Sequence, residues 1–123
     1  MGSIFDGFFK KGQENNEAAE IEYVNENNEN LEKVKVSIRI FGTVQGVGFR
    51  FTTKQTADEI GVTGIVRNEN DGSVYSEAVG TSDQINQFIE ALRKGPSPAA
   101  QVDKIVVEFD KNIEEKSNFS QSN

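Results

Sequence analysis

The chain contains no histidine and no cysteine among its 123 residues. Without these two residue types, a Ser-His-Asp triad and a cysteine nucleophile are impossible. A zinc site built from Cys and His is excluded as well, and so is any disulfide bond. The fold therefore has to depend on its apolar core, and any catalysis has to use other groups.

Basic residues are also scarce. Thirteen Lys and Arg residues stand against 20 Asp and Glu residues, which gives a formal net charge of −7. Because nucleic-acid binding needs a basic surface, this composition argues against a nucleic-acid partner. No apolar run approaches the roughly 18 residues of a membrane span, and no signal-peptide pattern follows the start. We therefore expect a small cytoplasmic protein that is monomeric and has no stable membrane association.

The acidic charge is concentrated near the N-terminus. Residues 1–33 carry three lysines against eight acidic residues, whereas residues 34–111 carry nine basic and ten acidic residues. The segment 12–32 is rich in Asn and Glu and has few large apolar side chains to offset its ordering entropy. We predict disordered tails over residues 1–33 and 112–123, on either side of one domain, residues 34–111. Within the first tail, residues 4–11 could dock weakly on a membrane surface or a partner, or form a passive terminus.

The first half of the predicted domain indicates a strand, a helix and a second strand. Apolar residues alternate with polar ones over residues 34–40, which is typical of a strand with one buried face. A helix is predicted from Phe49 to a stop at Gly61. A second strand is predicted over residues 62–68, followed by the turn signal Asn-Asp-Gly at residues 70–72.

The second half adds a strand, a helix and a last strand. Residues 74–79 form the partner strand of the hairpin, and Thr81 and Gln84 have the spacing of a capping box. Gly95-Pro96 ends the helix that follows, and a last strand is predicted over residues 102–109. The resulting order, β-α-β-β-α-β with right-handed crossovers, predicts an α+β, ferredoxin-like split β-α-β sandwich. One antiparallel sheet would carry both helices on one face.

The strongest local signal is the sequence GTVQGVGFR, residues 42–50. Its three glycines lie between a strand and a helix, where successive backbone N–H groups can converge on an anion. The N-terminus of the helix adds positive potential, and Arg50 could give two parallel hydrogen bonds to a phosphate. The alternative is a plain turn with Arg50 in solvent. No Gly-Lys-Ser/Thr follows, so the loop is not a P-loop.

Asn68 is the second candidate, because it ends the strand that should lie near this loop. Its amide can both donate and accept, so it could hold a water in line with a bound phosphorus. Alternatively, Asn68 only helps to form the turn.

Together these two stretches resemble the acylphosphatase family. The resemblance spans about residues 34–110, and the matching residues are Gly42, Val44-Gln45-Gly46-Val47-Gly48-Phe49-Arg50, Gly61, Gly64, Val66-Arg67-Asn68, Asp71-Gly72-Ser73-Val74, Gly80, Gly95-Pro96 and Val102. It implies hydrolysis of the carboxyl-phosphate bond of a small acyl phosphate, without a metal, a cofactor or a covalent intermediate. The alternative is a non-catalytic acyl-phosphate or phosphate-binding module of the same fold.

The resemblance also implies residue roles. Arg50 would bind the phosphate and Asn68 would orient the attacking water. The phosphoryl oxygens would be held by the backbone N–H groups of the loop, which are those of Gln45, Gly46, Val47, Gly48, Phe49 and Arg50. The proton acceptor is open, with the substrate phosphate as one hypothesis. Ile65 and Glu69 depart from the family pattern, and a carboxylate at residue 69 would repel substrate if it faced the site.

Overall fold

The structure is a computed structural model that describes residues 19–27 and 31–122. One six-stranded sheet and two helices make up this part of the chain, in the order β1 (Glu20–Tyr23), β2 (Val34–Thr43), α1 (Phe49–Ile60), β3 (Thr63–Asn68), β4 (Val74–Gly80), α2 (Ser82–Lys94), β5 (Gln101–Phe109) and β6 (Phe119–Gln121). The strands lie in the sheet in the order β1-β5-β2-β4-β3-β6. The predicted β-α-β-β-α-β order is confirmed for β2 to β5, and one further strand lies at each edge.

The core lies between the sheet and the two helices. Strand β2 alternates as predicted, with Val34, Val36, Ile38 and Ile40 buried. The helices contribute apolar stripes to the same core, whose buried members include Phe49 and Ala57 from α1 and Ile85, Phe88, Ile89 and Leu92 from α2. Because α1 and α2 pack on each other and both pack on the sheet, they cover one face of it. The other face carries the alternate side chains of the strands.

The helix boundaries follow the local signals. Helix α1 ends at Gly61, whose φ is 101° and whose N–H donates to Ala57 O at 2.8 Å. Helix α2 begins with the predicted capping box, in which Gln84 N donates to Thr81 Oγ1 at 3.2 Å and Thr81 N donates to Gln84 Oε1 at 2.8 Å. These reciprocal bonds satisfy backbone donors that a helix N-terminus otherwise leaves open.

The N-terminal edge of the sheet differs from the prediction. Disorder is predicted for residues 1–33, whereas Glu20–Tyr23 forms β1 and pairs in parallel with β5. The Asn25 side chain extends this contact, since it donates to Phe109 O at 3.0 Å and accepts from Phe109 N at 2.8 Å. The sheet edge supplies these partners, so a segment with a weak local signal becomes ordered. Residues 4–11, with their predicted amphipathic turn, lie outside the described residues.

The C-terminal edge differs as well. Disorder is predicted for residues 112–123, whereas Phe119–Gln121 forms β6 and pairs in parallel with β3. Phe119 is buried, and its ring lies 5.6 Å from that of Phe88 in an edge-to-face arrangement. Ile113 of this segment is buried as well, and the edge of β3 supplies backbone partners, so the segment is ordered although its composition is polar. Neither helix of the described chain is long and apolar enough to cross a membrane.

Candidate functional site

A glycine-rich loop connects β2 to α1 and exposes the start of that helix. Gly46 and Gly48 have φ values of 76° and 80°, a left-handed conformation that residues with a side chain rarely adopt. Gly48 is the N-cap of α1, and no side chain of the described residues caps it. The first N–H groups of the helix, at the positive end of its dipole, are therefore left for an external acceptor.

A cavity of about 140 Å³ opens at this helix N-terminus. It brings together three separate pieces of the chain, and its lining residues are Val44, Gly46, Gly48, Phe49, Arg50, Phe51, Asn68 and Gln121. Among these lining residues Arg50 is the only charged one, so a bound anion would meet a guanidinium and no carboxylate. The predicted residues Arg50 and Asn68 thus lie at one pocket.

The C-terminal strand holds Arg50 in place. Arg50 Nη1 donates to Ser122 O at 2.7 Å, and Ser122 is the first residue after β6. A guanidinium has five N–H donors in a planar fork, so donors remain for a ligand. The contribution of Gln121 and Ser122 is missed by sequence reasoning, because both residues fall in a segment predicted to be disordered. The apolar residues of that segment are Ile113 and Phe119.

Asn68 is the last residue of β3 and lies opposite Val74 of β4. It shares the inner face of its strand with the buried Val66. The Asn68 Oδ1 atom is buried, and no group in residues 19–27 and 31–122 donates a hydrogen bond to it. Since buried polar atoms normally have partners, this acceptor is suited to a bound water or ligand.

Two side chains hold the loop from opposite sides. Gln45 Nε2 donates to Glu69 O and to Ser73 O, both at 2.8 Å. Ser97 Oγ donates to Val47 O at 2.5 Å and is itself buried. Gln45 and Val47 do not line the pocket, and the role predicted for their backbone N–H groups stays a prediction.

The Glu69 carboxylate lies away from the pocket. It accepts from Arg67 Nε at 2.7 Å and from Arg39 Nη1 at 3.5 Å, on the sheet face opposite the helices. Both guanidinium groups lie over the Tyr75 ring, that of Arg39 at 4.9 Å and that of Arg67 at 4.4 Å from the ring centroid. The hydrogen bond from Arg67 lowers the pKa of Glu69, so the carboxylate is ionised but paired. Glu69 would repel substrate only if its carboxylate faced the pocket, and it does not line the pocket. Ile65, the other departure, does not line the pocket either.

Within the described ranges, no group of three or more carboxylate, His or Cys side chains is arranged to hold a metal ion. The expectation of a metal-free and cofactor-free reaction stays a prediction. The residues that line the pocket offer a ligand backbone N–H donors, the guanidinium of Arg50 and the side-chain amides of Asn68 and Gln121.

The fold and the pocket define the class of this protein: a small α+β protein with a pocket at the N-terminus of a helix, lined by a single charged residue, Arg50. The family model for acylphosphatase matches residues 36–121. The chain belongs to the acylphosphatase family.

Individual relatives agree with this assignment. The acylphosphatase of Ligilactobacillus salivarius is 56% identical over 70 residues, which are 57% of this chain and 78% of that protein. The acylphosphatase of Enterococcus faecalis is 44% identical over 89 residues, which are 72% of this chain and 96% of that protein. The crystal structure of an acylphosphatase from Bacillus subtilis superposes with a TM-score of 0.70 at 34% identity, covering 73% of this chain and 99% of that one.

These matches confirm the predicted family, the ferredoxin-like α+β fold and the enzyme class. The matched region also extends ten residues beyond the predicted domain end at residue 111 and reaches the last residue of β6. The C-terminal strand is therefore part of the region that the family shares.

Proposed function

We propose that this protein is an acylphosphatase that hydrolyses the carboxyl-phosphate bond of small acyl phosphates, giving a carboxylate and inorganic phosphate. The observation that carries the proposal is the position of Arg50, Asn68 and the uncapped start of α1 around one pocket. The overall reaction adds water across the bond: the phosphorus gains the water oxygen, and the acyl carboxylate leaves with the electron pair.

The loop and Arg50 bind the phosphoryl group. The N–H groups between Gln45 and Arg50 and the positive end of α1 face the phosphoryl oxygens, and the guanidinium supplies the full positive charge. Fixed donors of this kind stabilise the charge that develops on the phosphoryl oxygens in the transition state, and they need no reorganisation.

Asn68 places the attacking water. Its buried Oδ1 has no protein donor in the described chain and accepts a hydrogen bond from the water, which directs the oxygen at the phosphorus. Phosphoryl transfer proceeds through a loose transition state in which positioning and charge stabilisation supply most of the catalysis. A carboxylate is a good leaving group, so the reaction can proceed without His or Cys.

The proton of the water goes to a phosphate oxygen of the substrate in our scheme. No carboxylate or histidine lies among the residues that line the pocket, and this favours the substrate as its own base. The rate should then follow the concentration of the substrate dianion as pH changes. A rate that follows the titration of a protein group instead would contradict this step.

The second candidate is a binding module that holds phosphate without turnover. Such a module needs the loop and Arg50 but has no use for a buried, unpartnered amide beside them. The position of Asn68 therefore favours the enzyme.

We further propose that the protein acts as a cytoplasmic monomer without metal or cofactor. The absence of cysteine fits a reducing compartment. Residues 1–18 are proposed to be dispensable for activity, because every group assigned to the site lies C-terminal to them.

The decisive experiment measures hydrolysis of benzoyl phosphate by the wild type, Arg50→Ala and Asn68→Ala, with a chelator present. Arg50→Ala should lose phosphate binding by about 100-fold, because charge-assisted hydrogen bonds are the strong ones. Asn68→Ala should lose about 100-fold in kcat and keep near-normal inhibition by inorganic phosphate.

Two matched variants serve as controls. Arg39→Ala removes a guanidinium from the opposite face of the sheet, and Asn86→Ala removes an exposed amide from α2. Both should keep wild-type activity. A wild type that binds phosphate but does not hydrolyse benzoyl phosphate would favour the binding module, and activity that disappears with the chelator would contradict a metal-free reaction.

A further inference from the structure

Gln45 belongs to the phosphate-binding loop, but its side chain turns away from the pocket. The Nε2 atom lies 2.8 Å from Glu69 O and 2.8 Å from Ser73 O, and the side chain is partly buried between them. Both neighbours are carbonyl oxygens, which only accept. The NH₂ end of the amide must therefore face them, and its orientation follows from chemistry alone.

The two acceptors belong to a turn that is already closed by its own hydrogen bonds. Glu69 N donates to Ser73 O at 2.9 Å, and Gly72 N donates to Glu69 O at 3.2 Å. Asp71 Oδ1 accepts from the backbone N–H and the hydroxyl of Ser73, at 2.9 Å and 2.6 Å. The turn over residues 69–73 is thus internally fixed, and it starts directly after Asn68.

The sheet itself does not connect the loop to Asn68. The loop follows β2, whereas Asn68 ends β3, and β4 lies between these two strands. Backbone pairing therefore sets each strand against β4 but does not join them to each other. The Gln45 amide spans this gap and attaches the loop to the turn beside Asn68.

We propose that Gln45 is a positioning residue, whose side-chain amide sets the distance between the phosphate-binding loop and Asn68. This inference depends on the proposed function, since it concerns the alignment of a bound phosphoryl group with the water that Asn68 holds. In-line attack needs that alignment, and a misplacement of about 1 Å can cost about 100-fold in rate. The Gln45 side chain touches neither substrate nor water in this scheme and acts through the placement of Asn68.

The loop keeps a second attachment when Gln45 is changed. The hydrogen bond from Ser97 Oγ to Val47 O holds its other side, and Arg50 and the loop N–H groups stay in place. Loss of the Gln45 amide should therefore reduce turnover far more than phosphate binding. A residue that only supports the fold would reduce both together.

The test uses Gln45→Met, which keeps the length of the side chain and removes both donors, and Gln45→Asn, which keeps an amide on an arm one methylene shorter. Gln55→Met makes the same chemical change on the exposed surface of α1 and is the matched control. We expect kcat for benzoyl phosphate to fall about 10-fold to 100-fold in both Gln45 variants. The inhibition constant of inorganic phosphate should change less than about threefold, and the control should match the wild type in both.

A double-variant cycle separates positioning from a general structural role. If Gln45 acts through Asn68, then adding Gln45→Met to Asn68→Ala should lower kcat by less than about twofold, because there is no placed water left to misalign. Circular dichroism before each assay shows whether a variant is folded, and Gln45→Asn replaces Gln45→Met throughout if the latter is not.

Three results would overturn the inference: a wild-type kcat in the folded Gln45 variants, a parallel loss of phosphate affinity, or full additivity with Asn68→Ala. In each of these cases an active wild type would leave the proposed function standing. A wild type inactive toward acyl phosphates would overturn both.

Discussion

Replacing Phe119 with alanine tests whether the C-terminal strand is part of the folded core. Phe119 is the first residue of β6, and only 2% of its surface is exposed. Its ring packs edge-to-face on Phe88 of α2, with 5.6 Å between the ring centroids. Phe51 offers a matched comparison, because the same side chain is 56% exposed there.

The expected loss of stability is large. Truncation of a buried Phe to Ala costs about 3–5 kcal/mol, since it removes apolar burial and leaves a cavity. A three-residue edge strand can relax toward that cavity, so we expect the lower end of this range, about 3 kcal/mol. The total unfolding free energy of a domain is about 5–15 kcal/mol, so this single change would remove much of it. Phe51→Ala should cost less than about 1 kcal/mol.

Urea unfolding followed by circular dichroism measures both variants against the wild type. Phe119→Ala should lower the midpoint strongly without a comparable change in Phe51→Ala. The folded fraction of Phe119→Ala should also bind inorganic phosphate more weakly, because Ser122 O, the acceptor of Arg50, follows directly after β6. If the two variants have the same midpoint, the packing of β6 on the core is refuted.

Two further predictions concern a loop contact and a titrating side chain. Ser97→Ala removes the donor to Val47 O, and the loss of a partner for a partly buried carbonyl should cost about 1–3 kcal/mol in urea unfolding; an unchanged midpoint would contradict this bond. Burial and the hydrogen bond to Glu77 raise the pKa of Tyr75 from about 10 to about 12. Between these values the unfolded chain releases the proton first, so this contribution to stability is complete below about pH 10 and lost as pH rises toward 12. The urea midpoint should therefore fall between about pH 9 and about pH 11, and this fall should be smaller in Tyr75→Phe than in the wild type. An identical fall in both proteins would assign the loss of stability to other groups.

Local signals were sufficient for the central part of the fold. The alternation of β2, the glycine stop at Gly61 and the capping box of Thr81 and Gln84 all depend on neighbours within a few residues. Their physical causes, side-chain direction in strands and open donors at helix ends, act over the same short distance. The β-α-β-β-α-β order could therefore be predicted, and the family motif added Arg50 and Asn68.

The edge strands could not be predicted in this way. Strand β1 pairs with β5, and the Asn25 contact joins residues 84 positions apart. Neither β1 nor β6 has an alternation long enough to indicate a strand by itself. Each becomes ordered because the edge of a formed sheet presents unpaired N–H and C=O groups, which exist only after the rest of the chain has folded.

The same distinction applies to the site. The sequence by itself determined which groups we propose for the chemistry in a chain without His or Cys: a glycine-rich loop, one arginine and one asparagine. Only the tertiary structure decided how the loop and the arginine are held. Gln45 donates a hydrogen bond to Glu69 O in the turn between β3 and β4, Ser97 donates to Val47 O, and Arg50 donates to Ser122 O. In all three contacts a side chain donates to a backbone carbonyl. Every residue carries such a carbonyl, so the identity of the acceptor leaves no mark in the sequence and depends on the fold alone.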